Sequence, residues 1–411
     1  MVATDEIEHL LRTEAPQVLG ALVRRFSHFD IAEDATQEAL LAASRRWPAE
    51  GVPVDPRSWL IRVGYRRMVD LLRSEQAARR REQQVADQVV PNPAASSPAD
   101  QDDSLLLLFL CCHPALSPGS QVALTLRAVG GLTTAEIAHA YGVTEASMST
   151  RISRAKQRLR DSGARFSPPT DNDRDDRVAA VRHVLYLIFN EGYTATRGDR
   201  LARTDLTAEA IRLTRMLRRL LPGDAEVGGL LALMLLTESR RSTRADADNH
   251  LVQLEDQDRS QWDRQLIDEG VALIETVWAQ REVGPYQLQA AIAAVHAQSA
   301  SAEETDWPQI AALYLWLEKL APTAPIRLSR VVAVAKAFGP QRGLALLDDL
   351  NATYHLAEDP LTRHREPAVR AHLLESTGDR AAARASYLSA AGLTANEVER
   401  RYLLARADAL R

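Results

Sequence analysis

Between Leu132 and Arg160 the chain reads LTTAEIAHAYGVTEASMSTRISRAKQRLR, and few backbones suit that order of residues. Thr133 with Glu136 three positions on has the spacing of a capping box, and Leu132 with Ile137 that of a hydrophobic staple, so a helix starts there. It ends at Tyr141-Gly142, where glycine can take the left-handed backbone of a sharp turn. Thr144 then caps a second, longer helix, with Val143 stapled to Met148. Short helix, glycine turn and longer helix make a helix-turn-helix.

The longer helix divides into faces. Met148, Ile152, Ala155 and Leu159 form an apolar stripe for packing. Ser147, Arg151, Arg154 and Arg158 form a polar, positive one. From Arg151 to Arg160 there are five basic residues and no acid. Presented to duplex DNA, Ser147, Thr150, Arg151 and Arg154 would reach base edges, with Lys156 and Arg158 on phosphates. A solvated basic face on a packing helix would use the same residues.

At 411 residues the chain can hold two or three domains, each with its own core. Ala and Leu abound, aromatics are only 5%, and strand-like alternation is scarce, so the expected fold is all-α. A formal net charge of -5 does not exclude a nucleic-acid partner, because the basic residues cluster and DNA meets the local field. Cys111 and Cys112, the only cysteines, are adjacent and cannot build a disulfide framework, which suits a reducing cytoplasm. With His113 they could begin a metal site, but no fourth ligand lies at a usable spacing, so a buried thiol pair ending an apolar helix is expected and no metal. The longest apolar run, Leu105 to Cys112, is too short to span a bilayer, and no signal peptide is read.

Ahead of the helix-turn-helix, residues 5 to 29 read as a helix with Leu10, Leu11, Val18, Leu19, Leu22 and Val23 on its apolar side. Residues 30 to 47, DIAEDATQEALLAASRRW, follow as a second. There Asp34, Gln37, Glu38 and Leu41 share a face, a docking surface for a protein or simply a solvated one. PAEGVPVDP, with three prolines and a glycine, breaks that helix at Pro48. Asp55 and Pro56 open a third as N-cap and first residue. Its buried stripe is Leu60, Gly64, Met68, Leu71 and Leu72. Another carries Trp59, Arg62, Arg66, Asp70 and Arg73, with Tyr65 and Arg67 beside it. Between Arg57 and Arg81 eight arginines face two acids. Arginine interleaved with Trp and Tyr suits unpaired DNA, since cations hold the backbone and rings stack on bases. Trp59 is also a staple partner for Val54.

The order DxAEDxxQE, then WLxRxxxxRxxDxxR, then the helix-turn-helix resembles the bacterial sigma-70 family, in its extracytoplasmic-function class, over residues 5 to about 165. The resemblance implies that Asp30 to Leu41 docks core RNA polymerase, with Asp34, Gln37, Glu38 and Leu41 as its contacts. It implies that Trp59 to Arg73 melts and reads the -10 promoter element, through Trp59, Arg62, Tyr65, Arg66, Arg67 and Arg73, and that Leu116 to Arg160 reads the -35 element as duplex. Gly64-Tyr65 departs from the small residue and Arg or Lys usual there.

The expected domains are region 2 at 1-81, a flexible linker at 82-103, region 4 at 104-166, a second linker at 167-177, and a helical extension at 178-411. By resemblance the first linker threads toward the polymerase active-site path. In the extension, Val331 to Leu350 and His372 to Ala391 each give helix, glycine turn and small-residue helix, and resemble tetratricopeptide hairpins. The whole extension resembles that of a sigma-factor subgroup with an added helical domain, DQDRSQWDR and GPYQLQAAIAAVHA being the segments that carry the likeness. Glu191, Asp256, Asp258, Asp263 and His296 supply acids and a base, but no spacing pairs them, and no phosphate loop or nucleophile motif is present. No catalysis and no cofactor are expected, and DQDRSQWDR reads as a polar network between helices. The partners expected are core RNA polymerase and promoter DNA. The extension would regulate, by packing on the sigma domains or by binding a regulatory protein. The rival readings are a polymerase-independent helix-turn-helix regulator with a helical sensor domain, and a scaffold whose repeats are the active part.

Overall fold

The computed structural model describes residues 4–82, 103–194, 202–246, 250–280 and 282–411. Among them the regular structure is helical, with a single isolated β-bridge between Ala245 and Leu251. The chain divides into two compact units, Met1–Leu187 and Ile188–Arg411.

In the first unit α1 (Thr4–Phe26), α2 (Phe29–Glu50) and α3 (Pro56–Glu82) pack on one another. Leu19 and Leu22 of α1, Ala35 and Ala39 of α2, and Leu60 and Met68 of α3 are buried, while Leu71 and Leu72 are half-buried. Gly64 allows α3 a close approach to α1: a Cβ there would lie 2.9 Å from Cδ1 of Leu22. The expected break at Pro48 does not occur. α2 runs through Pro48 to Glu50 and stops at Gly51, whose φ is +86°. In a last turn proline removes only one ladder bond, and the glycine beyond it has the freedom to leave the helix.

The linker expected at 82-103 lies almost wholly outside the described residues. Beyond it come α4 (Ser104–Cys111), α5 (Pro118–Ala128), α6 (Thr134–Ala140) and α7 (Glu145–Asp161). Cys111 ends α4 and Cys112 caps it, both buried. Burial pushes both thiols up, that of Cys112 to about 12, which makes them poor nucleophiles and poor ligands. Among the described residues no group of three His, Cys, Asp or Glu could hold a metal ion, and no helix is long and apolar enough to cross a membrane.

After α8 (Arg174–Tyr193) the second unit continues through α9 (Thr204–Leu220), α10 (Ala225–Glu238), α11 (Arg264–Trp278), α12 (Pro285–Gln298), α13 (Trp307–Leu320), α14 (Ala324–Phe338), α15 (Pro340–Tyr354), α16 (Glu366–Thr377), α17 (Arg380–Leu393) and α18 (Glu397–Asp408). The side chains of Asp224, Asp263, Asp306, Asp379 and Asn396 cap α10, α11, α13, α17 and α18, each satisfying amide groups that a helix start leaves orphaned. Both expected hairpins form. α14 and α15 meet at Gly339 (φ +100°), and α16 and α17 at Gly378 (φ +88°). Leu328, Val331, Leu347, Leu350 and Leu373 bury one seam of the stack. Ala371, Ala383, Tyr387, Ala390 and Leu403 bury the next.

DQDRSQWDR is a polar network. Arg259 donates to the carbonyls of His296 (2.9 Å) and Ser299 (3.0 Å) and to Oγ1 of Thr305 (3.0 Å), while Trp262 Nε1 donates to Oγ1 of Thr243 (3.0 Å). Asp258 accepts from Ser260 and Gln261, and Asp263 caps α11, so these acids are engaged in holding backbone.

Candidate nucleic-acid interface

Local chemistry sets the helix-turn-helix. Thr133 and Glu136 close the capping box in both directions: the Glu136 amide donates to Oγ1 of Thr133 at 3.2 Å and the Thr133 amide to Oε2 of Glu136 at 2.7 Å. Gly142 takes a φ of +59°, and Oγ1 of Thr144 accepts from the Ser147 amide at 3.2 Å. Met148, Ile152, Ala155 and Leu159 are all buried, so the apolar stripe is the packing face. That burial turns Ser147, Thr150, Arg154 and Arg158 to solvent, with Arg151 half-exposed beside them.

Lys156 is not on that face. At 3.6 residues per turn, two positions carry it about 200° around the helix from Arg154, where it meets α2. Its Nζ lies 2.7 Å from Oδ1 of Asp34 and also pairs with Glu33, which leaves the side chain 11% exposed. Burial alone would pull the Lys156 ammonium down, but the two carboxylates outweigh it and hold it above its ordinary value. Glu33, 1% exposed, takes a second cation through its other oxygen, Nε of Arg127 at 2.7 Å. One turn beyond Lys156, Arg160 pairs with Asp30.

The expected docking face is therefore only partly open. Asp34 holds Lys156 yet stays 60% exposed. Gln37 donates to the Arg127 carbonyl at 3.4 Å. Glu38 pairs with Arg67 of α3, whose Nη2 reaches it at 2.9 Å. Leu41 is exposed. Sequence reasoning missed Glu33, Asp30, Arg127 and Arg160. Asp30, Glu33 and Gln37 sit at helical spacing on α2, so the acidic stripe could have been extended toward its buried side. Nothing local identified the cations that would meet it.

On α3, Arg62, Arg66 and Arg73 are exposed and Trp59 and Tyr65 half-buried. Val54 is fully exposed, so Trp59 is not stapled to it; it packs edge-on against the buried Trp47, with ring centroids 5.4 Å apart. The Tyr65 ring lies 5.3 Å from that of Phe26, with the Arg25 guanidinium 5.3 Å from its centroid. These packed rings fix the edges that the helix presents. The side chains of Arg79, Arg80 and Arg81 lie outside the described residues.

Three stretches of the chain match known families. Sigma-70 region 2 matches residues 10–78 and Sigma-70, region 4 matches residues 106–159. A family of unknown function, DUF6596, matches residues 177–278. An uncharacterized protein of Rhizobium meliloti (strain 1021) is 41% identical over 422 residues, covering 100% of this chain and 97% of its own length. No solved structure matches. With a region 2 helix bundle and a region 4 helix-turn-helix in one chain, the protein belongs to the sigma-70 family, as a sigma factor or related transcription regulator.

Proposed function

We propose that the protein binds core RNA polymerase, directs it to promoters with -35 and -10 elements, and helps open the duplex, as a member of the extracytoplasmic-function class. It performs no bond chemistry. The observation that carries this reading is the row of exposed Ser147, Thr150, Arg154 and Arg158, with half-exposed Arg151 among them, on a helix whose opposite side is buried. A row of this kind can enter a major groove with its first turns on base edges and its later arginines on phosphates. Lys156 would reach phosphate only after leaving Glu33 and Asp34. Trp59, Arg62, Tyr65, Arg66, Arg67 and Arg73 offer the cations and ring edges that an opened strand requires. Asp34, Gln37, Glu38 and Leu41 would dock the polymerase. The second unit is assigned a regulatory role, its helical hairpins receiving a protein partner or acting on the two sigma domains, and the cytoplasm is the proposed location.

Runoff transcription with purified core enzyme tests this. Arg151→Ala should lower -35-dependent transcription by about tenfold, the scale of one lost base contact, while polymerase binding survives. Equal transcription from intact and scrambled -35 promoters, by both proteins, would give α7 another job. Copurification with core polymerase separates the proposal from a polymerase-independent regulator. Removal of residues after about 170 reads the role of the second unit, and unaltered transcription with no partner lost would end the regulatory assignment.

A further inference from the structure

Asp34, which the proposed function gives to the polymerase, and its neighbours Glu33 and Asp30 on α2 already hold cations of the same chain. Glu33 is closed off between Arg127 of α5 and Lys156 of α7, Asp34 holds Lys156 as well, and Asp30 holds Arg160. Gln37 spends its amide on the Arg127 carbonyl. A carboxylate has few acceptor positions, and one enclosed by two protein cations cannot also receive a partner's. Around α7 these contacts occupy a third side, apart from the buried apolar stripe and from the polar row of Ser147, Arg151, Arg154 and Arg158. The contact therefore covers acids of α2 while leaving the duplex-reading row open.

We infer that the basic end of α7 and core RNA polymerase compete for one acidic face of α2, so that the free protein holds part of its own docking surface, at Asp34, covered. The inference rests on the reading of α2 as the docking helix. Part-exposed ion pairs are worth little singly and are screened by salt, which suits a latch that a large partner must displace. Two of the neighbouring contacts are polar as well: Arg12 meets Glu136 at 2.9 Å, and Gln17 donates to Oγ of Ser104 at 3.2 Å.

The sequence makes the test clean, because Lys156, Lys319 and Lys336 are its only lysines. A zero-length carbodiimide applied to the full chain should join Lys156 to Asp34 or Glu33. The Lys336 and Glu255 pair of the second unit serves as internal standard. Core polymerase added first should suppress the Lys156 link in proportion to the protein bound and leave the standard unchanged. Arg160→Glu, on an exposed side chain outside the duplex-reading row, should loosen the latch and tighten polymerase binding about threefold, the scale of one exposed pair, whereas Arg160→Lys should behave as wild type. A Lys156 link that never forms in the free protein, or that persists undiminished in the bound one, overturns the competition while polymerase docking stands. Failure of both wild type and Arg160→Glu to bind polymerase overturns the docking reading instead, and the competition with it.

Discussion

Where α2 meets α5 and α7, charged side chains pair: Glu33, Asp34 and Asp30 against Arg127, Lys156 and Arg160. Where α14, α15 and α16 meet, they are apolar: Leu328, Val331, Leu347, Leu350 and Leu373. An apolar seam gains from excluding water, is indifferent to salt and has no alternative partner in solution. A charged seam gives up hydration to form, gains little net energy and can exchange its partners for others of the same sign. The contrast separates a part of the molecule built to stay assembled from a part able to trade one neighbour for another.

The largest expected effect lies on the apolar side. Leu347→Ala, at a fully buried position, should cost about 2–5 kcal/mol in chemical denaturation of the second unit. About 1 M salt should not diminish that loss; if it did, the seam would owe its strength to charge.

Acid reaches the second unit by another route. His296 is half-buried with its ring edge-on to Trp307, and burial, then Arg240 and Arg259, lowers it from 6.5 to about 4. The folded state thus refuses a proton that the unfolded chain accepts. The stability tied to that refusal is complete above pH 6.5 and is lost as pH falls from there through 4, on the order of 3 kcal/mol in all. His296→Asn should flatten that part of a pH-stability curve, and an unchanged slope would mean that another group titrates there.

Glu33→Gln removes one charge that serves two cations and should cost about 2 kcal/mol of first-unit stability, with Lys156 more accessible to acylating reagents. No change in either would show that Glu33 is not the hub of the charged seam. Arg160→Gln should cost less than about 1 kcal/mol, and the difference should vanish in high salt. A salt-independent loss of several times that size would make the two seams alike.

Much of the candidate site was legible because its signals are local. The capping box at Thr133, the turn at Gly142 and the four buried residues of α7 each involve partners within four positions, and the hairpins at Gly339 and Gly378 follow from the same rules. The misreadings concern neighbours. Pro48 was compatible with a final helical turn once Gly51 followed, and Trp59 found Trp47 instead of Val54.

By itself the sequence determined which segments are helices, where they begin and turn, and which residues share a face, because backbone capping and a 3.6-residue period act over a few positions. Only the tertiary structure decided which charges meet. Lys156 lies 122 positions from Asp34, and no periodicity connects them. Their pairing depends on how closely α2 and α7 approach, which is fixed by the packing of buried side chains on other faces of the same helices.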